Sequence, residues 1–321
     1  MSVAATTAQE GNATDDDAAT DGATMTAAAW SVVPITGTFG AELSGARVAD
    51  GIDGPWLAAR LEEHLVLVLR EQHLTHAQHV DLARELGEPT PAHPVVPGHP
   101  DHPEILVLDG AQGGRNARWH TDVTFVPTPP AASVLVADRL PDRGGDTMWA
   151  DTRTAYERLS PPLRAAVDQL EAVHRISPLA YWGEPFDTAL GRGDAQQLYE
   201  ESTKVPPVIH PVVRIHPVTG RRNLFVNPGF TTHIVGLSRI ESDGVLRTLY
   251  EHMTQPELVL RHRWRAGDVV IWDNRATMHY AVDDYGVGAR LMRRVTIRGG
   301  TAIGPTGMES RIAEDPLVAT R

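Results

Sequence analysis

Short apolar runs separated by Gly, Pro, Asp and Asn recur along the chain, and most are too short for a helix, so the pattern predicts strands. Ser31-Val32-Val33-Pro34-Ile35 reads as a first strand, and 37–45 as a glycine-punctuated turn with a second short strand. Residues 65–69 are apolar at every position, as expected of a strand covered on both faces. Further strands are expected at 105–108, 132–138, 147–150, 258–264, 269–272 and 290–297. Residues 212–215 and 224–226 flank a turn at Thr219-Gly220 and read as a hairpin.

Helical spacing is rarer. Residues 55–63 read as a helix with Pro55 in its first turn. Thr75-His76-Ala77-Gln78 and Ser238-Arg239-Ile240-Glu241 are capping boxes, in which a hydroxyl accepts an amide three residues on and the side chain there reaches back. The first opens a helix with Val80, Leu82, Ala83 and Leu86 on its apolar face, stopped by Gly87; the second runs to about Met253. Residues 151–175 read as helical, restarting at Pro161-Pro162. Many strands and few helices predict a mainly β fold with flanking helices, a sandwich or barrel. Residues 1–29 hold almost no large apolar group and are expected to be a disordered tail before one domain over 30–321. The irregular stretch 176–207 reads as a lid.

Composition narrows the function. Lys and Arg number 29 against 41 Asp and Glu, a net charge of −12, which disfavours nucleic acid and anionic membrane as partners. There is no cysteine, so thiolate metal sites and thiol nucleophiles are excluded, and a cytoplasmic location fits. No apolar run spans a bilayer and the N-terminus has no apolar signal region. Self-association into a homo-oligomer is compatible with the sequence.

The candidate chemistry lies in Trp119-His120-Thr121-Asp122-Val123-Thr124-Phe125. If this is a strand, His120 and Asp122 point the same way. His279, in Trp272-Asp273-Asn274-Arg275-Ala276-Thr277-Met278-His279-Tyr280, supplies a third ligand. Two imidazoles and one carboxylate leave one side of a metal open, as in non-haem Fe(II) oxygenases. Asp273-Asn274-Arg275 is expected to make structural hydrogen bonds around this site. Arg290 and Arg294 are an even number of residues apart and are expected to face inward, as forks for carboxylate, sulfate or phosphate; Arg293 is expected to face outward. Thr147 could donate to a co-substrate carboxylate, and His93 and Asn116 to a substrate anion. Taken singly, each of these residues has an ordinary structural reading. Three alternatives stay open: a tailoring hydroxylase of an amino acid, phosphonate or other carboxylate, a Zn hydrolase, and a non-catalytic metal-binding β-barrel.

These blocks, together with Gly144-Gly145-Asp146-Thr147, Arg290 and Arg294, resemble the taurine dioxygenase family of Fe(II)/2-oxoglutarate-dependent oxygenases over about residues 33–299. The resemblance implies a double-stranded β-helix, or jelly roll. It implies Fe(II) on His120, Asp122 and His279, with 2-oxoglutarate and O2 as co-substrates. It implies that Thr147 and Arg290 bind the distal carboxylate of 2-oxoglutarate, with Arg294 close by. Arg294, His93, Asn116 and the backbone at Val123 would then face the head of a small anionic substrate. Asp122 stands where halogenating relatives carry a small residue, so hydroxylation is the implied outcome. Leu108-Asp109-Gly110-Ala111-Gln112-Gly113 and the segment from Tyr280 to Gly286 look like the alkyl sulfatase branch; Phe225-Val226-Asn227 with Gly229-Phe230-Thr231-Thr232 looks like the taurine-cleaving members. Where the latter have His-Pro-Val-Tyr, this chain reads His93-Pro94-Val95-Val96, which favours a longer or more apolar alkyl chain.

Overall fold

The computed structural model describes residues 30–110, 116–176, 200–286 and 289–314. The tail expected at 1–29 and most of the expected lid at 176–207 lie outside these residues. The chain enters through β1 (Ser31–Pro34) and β2 (Ala41–Ser44), paired antiparallel. α1 (Gly54–His64) begins where the Asp53 carboxylate accepts the Trp56 amide, and it ends on Leu65 in the left-handed region. β3 (Val66–Leu69) follows, then α2 (His76–Leu86), with the Thr75–Gln78 capping box formed and Gly87 at its end. Next come β4 (Leu106–Asp109), β5 (Ala132–Arg139), β6 (Thr147–Asp151), α3 (Thr152–Arg158) and α4 (Pro161–Val167).

The chain then departs from the helix expected over 151–175. Glu171–His174 is a strand, β7, antiparallel to β8 (Val208–Pro211). Its Ala172, Val173 and His174 are buried. So short a strand directly behind a helix carries too few positions for its own period to be read. β9 (Val213–Ile215) and β10 (Arg222–Leu224) form the expected hairpin. β11 (Thr231–Ile234) pairs with β7, and α5 (Arg239–Met253) starts at the second capping box. β12 (Val259–His262), β13 (Val269–Asp273), β14 (Thr277–Ala281), β15 (Leu291–Ile297) and β16 (Arg311–Ile312) complete the order.

A seven-stranded sheet, in the order β1-β2-β3-β13-β5-β15-β4, is antiparallel except between β2 and β3. Its two faces are sorted residue by residue. Leu67, Leu69, Val134, Val136, Val269, Ile271, Val295 and Ile297 pack with Leu57 and Leu61 of α1 and Val80, Leu82 and Ala83 of α2. Val66, Val68, Leu135, Ala137, Val270, Trp272 and Met292 pack instead with Trp149 of β6 and Leu260 of β12. β6 is the centre of the opposed three-stranded sheet, β12-β6-β14. The result is a jelly roll with helices on the outside of the larger sheet. The apolar run at 65–69 is explained: alternate side chains serve two cores, and each fully buried Val or Leu contributes about 1.5–3 kcal/mol. A third core joins α3, α4 and α5 to Val213, Leu224 and Met278. No described helix is long and apolar enough to cross a membrane.

Two expectations about side-chain direction need correction. The segment around His120 is not a strand. His120 makes an isolated bridge to His279, and Asp122–Phe125 is a turn in which Val123 has φ 54°. Every residue from His120 to Phe125 is buried, so no exposed face imposes a period of two. Arg293 does point away from Arg294, but it does not face solvent. The outer face of β15 lies under α2, and Arg293 is buried there, with Nε on Asp138 Oδ2 at 2.6 Å and Nη2 on the Leu74 carbonyl at 2.7 Å.

Candidate active site

His120 and His279 are brought together by backbone. The His120 amide donates to the His279 carbonyl at 2.9 Å, and the His279 amide donates back at 2.7 Å. Their rings lie 4.0 Å apart. Between the two acidic and basic ligands, the Thr121 hydroxyl donates to the Thr277 carbonyl at 2.9 Å, which ties the segment to β14. Past Thr121 the turn at Val123 swings the Asp122 carboxylate toward both rings. Asp122 Oδ1 is 3.8 Å from His120 Nε2 and 3.7 Å from His279 Nε2. A left-handed conformation is unfavourable for a β-branched residue, and its presence here marks a backbone held by its surroundings.

The surroundings are polar and specific. Asn274 Oδ1 accepts the Asp122 amide at 2.8 Å, and its Nδ2 donates to the Asp122 and Pro130 carbonyls at 3.0 Å each. The Asn274 amide donates to the Ala131 carbonyl at 3.0 Å, and the carboxylate of the preceding Asp273 accepts the Arg275 amide at 2.8 Å and His216 Nε2 at 3.0 Å. Burial alone would raise the Asp273 carboxyl, but His216 and Arg275 hold it far below the usual carboxylate range. Asp273-Asn274-Arg275 thus makes the structural bonds expected of it. Two further contributors, Ser133 and Gly229, have no role predicted from the sequence. Ser133, on the inner face of β5, donates to Asp122 Oδ2 at 2.8 Å. Gly229 lies so close to the first histidine that a Cβ there would be 2.7 Å from His120 Cβ. Either could have been found only by knowing which strand faces which.

The three groups form the cluster of potential metal ligands found among the described residues, with ligand atoms within 4.8 Å of one another and all buried. The donor set fits a divalent non-haem metal. His120 Nδ1 is 2.8 Å from the Arg118 carbonyl, so the proton sits there and Nε2 keeps its lone pair. Asn116 Nδ2 lies 3.0 Å from that nitrogen, so a metal and the Asn116 amide use the same lone pair. Burial, then the charge of His120, holds the His279 imidazole well below its usual value, and burial lowers that of His120 against the pull of Asp122. Burial would raise the Asp122 carboxyl, but Arg294, the two histidines and Ser133 outweigh it and bring it down to about 2. Two neutral imidazoles and a carboxylate are the ligating forms.

Both inner arginines of the β15 segment reach this region. Arg294 Nη1 donates to Asp122 Oδ1. Its Nε and Nη2 are buried without a partner among the described residues. Buried guanidinium donors are usually paired, so these two nitrogens are available to an acceptor. Arg290, just before β15, donates through Nε to the Gly145 carbonyl at 3.0 Å and through Nη2 to Thr147 Oγ1 at 3.3 Å. Thr147 Oγ1 also accepts Trp264 Nε1 at 2.9 Å, so its own proton is left to donate elsewhere. Thr147 and Arg290 therefore meet as expected. His93 is buried and accepts the Val95 and Val96 amides through Nδ1, both at 3.2 Å, which places its proton on Nε2. Burial first, then Arg294, pushes its imidazole down to about 3, so it is neutral. Beside this polar group runs an apolar wall of Val123, Phe125, Ile176 and Phe230, with Val95, Val126 and Val205 packed on it. Phe230 stands edge-on to His120 at 6.2 Å.

Comparison with known proteins agrees with this geometry. The profile described as "Taurine catabolism dioxygenase TauD, TfdA family" matches residues 31–296. The chain is 42% identical over 290 residues to an alpha-ketoglutarate-dependent sulfate ester dioxygenase of Pseudomonas putida, covering 87% of this chain and 93% of that protein. It is 39% identical over 281 residues to an alkylsulfatase of Acinetobacter baylyi, covering 86% and 87%. The solved structure of a taurine dioxygenase from Burkholderia xenovorans superposes with a TM-score of 0.75 at 38% identity, over 91% of this chain and 97% of that one.

Proposed function

We propose, on the premise that the chain belongs to the taurine catabolism dioxygenase (TauD, TfdA) family and is a 2-oxoglutarate-dependent dioxygenase, that it oxidatively cleaves alkyl sulfate esters. The observation that carries this reading is the bare Arg294 fork, buried beside the His120, Asp122 and His279 cluster and next to an apolar wall. An alkyl sulfate has the matching halves: a compact oxyanion for the guanidinium and a hydrocarbon chain for Phe230, Val95 and Val126. The names of the two curated relatives support sulfate over sulfonate.

In this proposal His120, Asp122 and His279 hold Fe(II). When bound, the metal supplies the redox chemistry that couples decarboxylation of 2-oxoglutarate by O2 to hydroxylation of a C–H bond. The protein's own residues position the reactants. Arg290 and the Thr147 hydroxyl take the distal carboxylate of 2-oxoglutarate. Arg294, with His93 Nε2–H, the Asn116 amide and the backbone amide of Val123, takes the sulfate. Anchoring the sulfate fixes the adjacent CH2 toward the metal side of the site. Asp122 stays ionised because Arg294 and Ser133 bind it, and Ser133 restrains its second oxygen. The product of hydroxylation carries OH and sulfate on one carbon. Loss of the hydroxyl proton and cleavage of the C–O bond to sulfate give an aldehyde and inorganic sulfate, alongside succinate and CO2. The proposed setting is the cytoplasm, where O2, 2-oxoglutarate and Fe(II) coexist.

The test is succinate release with Fe(II), 2-oxoglutarate and O2 over a panel: alkyl sulfates of increasing length, taurine, an alkylphosphonate and a carboxylate. Inorganic sulfate and aldehyde should appear one for one with succinate, and only with O2. Turnover of taurine or a carboxylate without turnover of any alkyl sulfate would overturn the substrate. Sulfate release without O2 would return the chain to the hydrolase reading.

A further inference from the structure

Behind the turn that carries Asp122 and Val123 lie two histidines that the proposed reaction does not use. His174 ends β7 and His210 lies in β8, in the sheet ordered β11-β7-β8-β16. Ala172 stands opposite His210 across these antiparallel strands, and His174 follows Ala172 by two residues, so both rings leave the same face. Both side chains are fully buried. Their ring centres are 4.8 Å apart, and Phe225 lies 6.0 Å from His174 and 5.2 Å from His210. We propose that His174 and His210 are positioning residues: acting through Thr124, they hold the turn that points the Asp122 carboxylate at the metal and the Val123 amide at the substrate anion. This role rests on the metal and substrate sites proposed above.

The contacts converge on Thr124, the residue after Val123. His210 Nε2 lies 2.7 Å from the Thr124 carbonyl oxygen, and His174 Nδ1 lies 2.9 Å from the Thr124 hydroxyl. The same hydroxyl accepts Asn227 Nδ2 at 3.1 Å. A carbonyl oxygen only accepts, so the His210 proton is on Nε2, and its Nδ1 takes the Ser310 hydroxyl at 2.6 Å. His174 Nε2 lies 3.2 Å from the Thr231 hydroxyl, whose oxygen also accepts the Asn227 amide at 2.9 Å. Between these two hydroxyls a neutral imidazole, with one donor and one acceptor, satisfies both: one takes the ring proton and the other gives its own. Burial pushes the His210 imidazole down to about 3 and holds that of His174 well below its usual value, which keeps both rings neutral. Neither ring leaves a nitrogen unused.

Val123 is thus clamped from both sides. Asn274 binds the amide and the carbonyl of Asp122, the residue before it. The two histidines and Asn227 bind the carbonyl and the hydroxyl of Thr124, the residue after it. A β-branched residue in the left-handed region relaxes toward an extended conformation once either grip is lost, and the peptide units on both sides of it rotate. That rotation moves the Asp122 carboxylate and the Val123 amide together. Arg290 and Thr147 make their bonds elsewhere and are left in place.

The test compares His210→Leu, His210→Gln and Thr124→Val with His79→Leu, which removes the contact of another buried histidine with a carbonyl, that of Val134, away from the site. The first readout is the affinity for Co2+ by equilibrium dialysis without 2-oxoglutarate, counting only binding that is lost in His279→Ala. It should fall about tenfold or more in His210→Leu and Thr124→Val, the usual size when a group that orients a metal ligand is removed. It should hold in His79→Leu and be restored in His210→Gln, whose amide can again donate to the Thr124 carbonyl. The second readout is turnover: in His210→Leu the KM for alkyl sulfate should rise about tenfold while the KM for 2-oxoglutarate stays unchanged. Wild-type Co2+ affinity in His210→Leu, an equal loss in His79→Leu, or a parallel rise of both KM values overturns the role. His174→Leu added to Thr124→Val should cost little more than Thr124→Val alone, and additive losses would show that His174 does not act through Thr124. Should His210→Leu fail to fold, Thr124→Val, which keeps the shape of its side chain, carries both readouts. Dialysis needs no substrate, so a wild type that binds Co2+ and cleaves no alkyl sulfate sinks the substrate reading and leaves this role standing. A wild type that binds no Co2+ overturns both.

Discussion

Arg293 and Arg294 are neighbours on β15, both buried, and they do different things. Arg293 lies on the outer face, with Nε on Asp138 and Nη2 on the Leu74 carbonyl that precedes α2. Arg294 lies on the inner face, gives one nitrogen to Asp122, and keeps Nε and Nη2 aimed at nothing the described residues supply. Residue type, burial and even strand are the same. The difference is how far the hydrogen-bonding capacity of each guanidinium is met from within the fold. Arg293 binds two groups of the protein and leaves one nitrogen, Nη1, without a partner among the described residues; Arg294 binds one group and leaves two.

The largest effect that can break this contrast comes from Asp122, the anchor of Arg294. Asp122→Ala and His279→Ala should each abolish succinate formation, measured with Fe(II) and 2-oxoglutarate in excess. Residual turnover in both would remove the metal cluster from the reaction. Next is the contrast itself. Arg294→Ala should raise the KM for alkyl sulfate by about 30-fold or more, the cost of truncating one partner of a buried charge pair being about 2 kcal/mol at least. Arg293→Ala should leave that KM unchanged and instead lower stability by about 1–3 kcal/mol in urea unfolding, because the Leu74 carbonyl loses its donor and Asp138 its cation. An Arg293→Ala enzyme that is fully stable but turns over slowly would reverse the assignment of the two faces.

Smaller effects sharpen the comparison. Arg290→Lys should raise the KM for 2-oxoglutarate by about tenfold with little change for the alkyl sulfate, since an ammonium cannot reproduce the two-pronged contact. The smallest concerns His79, buried among the apolar residues of the outer face with Nε2 3.0 Å from the Val134 carbonyl. Burial pushes its imidazole down to about 3. In the unfolded chain it titrates near about 6.5, so between these values only the unfolded chain takes up the proton. Stability therefore falls as pH drops below about 6.5. His79→Gln keeps a donor for Val134 and removes the titration, so its urea midpoint should decline less between pH 6.5 and 5. An identical decline would place the acid sensitivity elsewhere.

Much of this was legible in the sequence because it rested on local rules. Both capping boxes formed, and Val66 to Leu69 behaved as a strand shared by two cores. His120, Asp122 and His279 met, but not for the reason that alternation suggests. A bridge and a left-handed Val123 bring them together, and neither leaves a mark on the hydrophobic pattern when every neighbour is buried. Asn274 holds Asp122 as expected of its segment, but Ser133 reaches Asp122 from the neighbouring β5, a contact that no hydrophobic or motif pattern marks. Arg293 was expected in solvent because a charge opposite an inner charge usually is. The helix layer over that face, α2, put it in a second interior instead.

The pair of hydrogen bonds between His120 and His279 also sets a timetable. The first and last members of the cluster are 279 − 120 = 159 positions apart, and the strand that bears the later one must emerge from the ribosome and dock before the earlier one has anything to pair with. A growing chain offers iron no cage. The three ligands are complete only once most of the domain has been made, so the ion enters late in assembly.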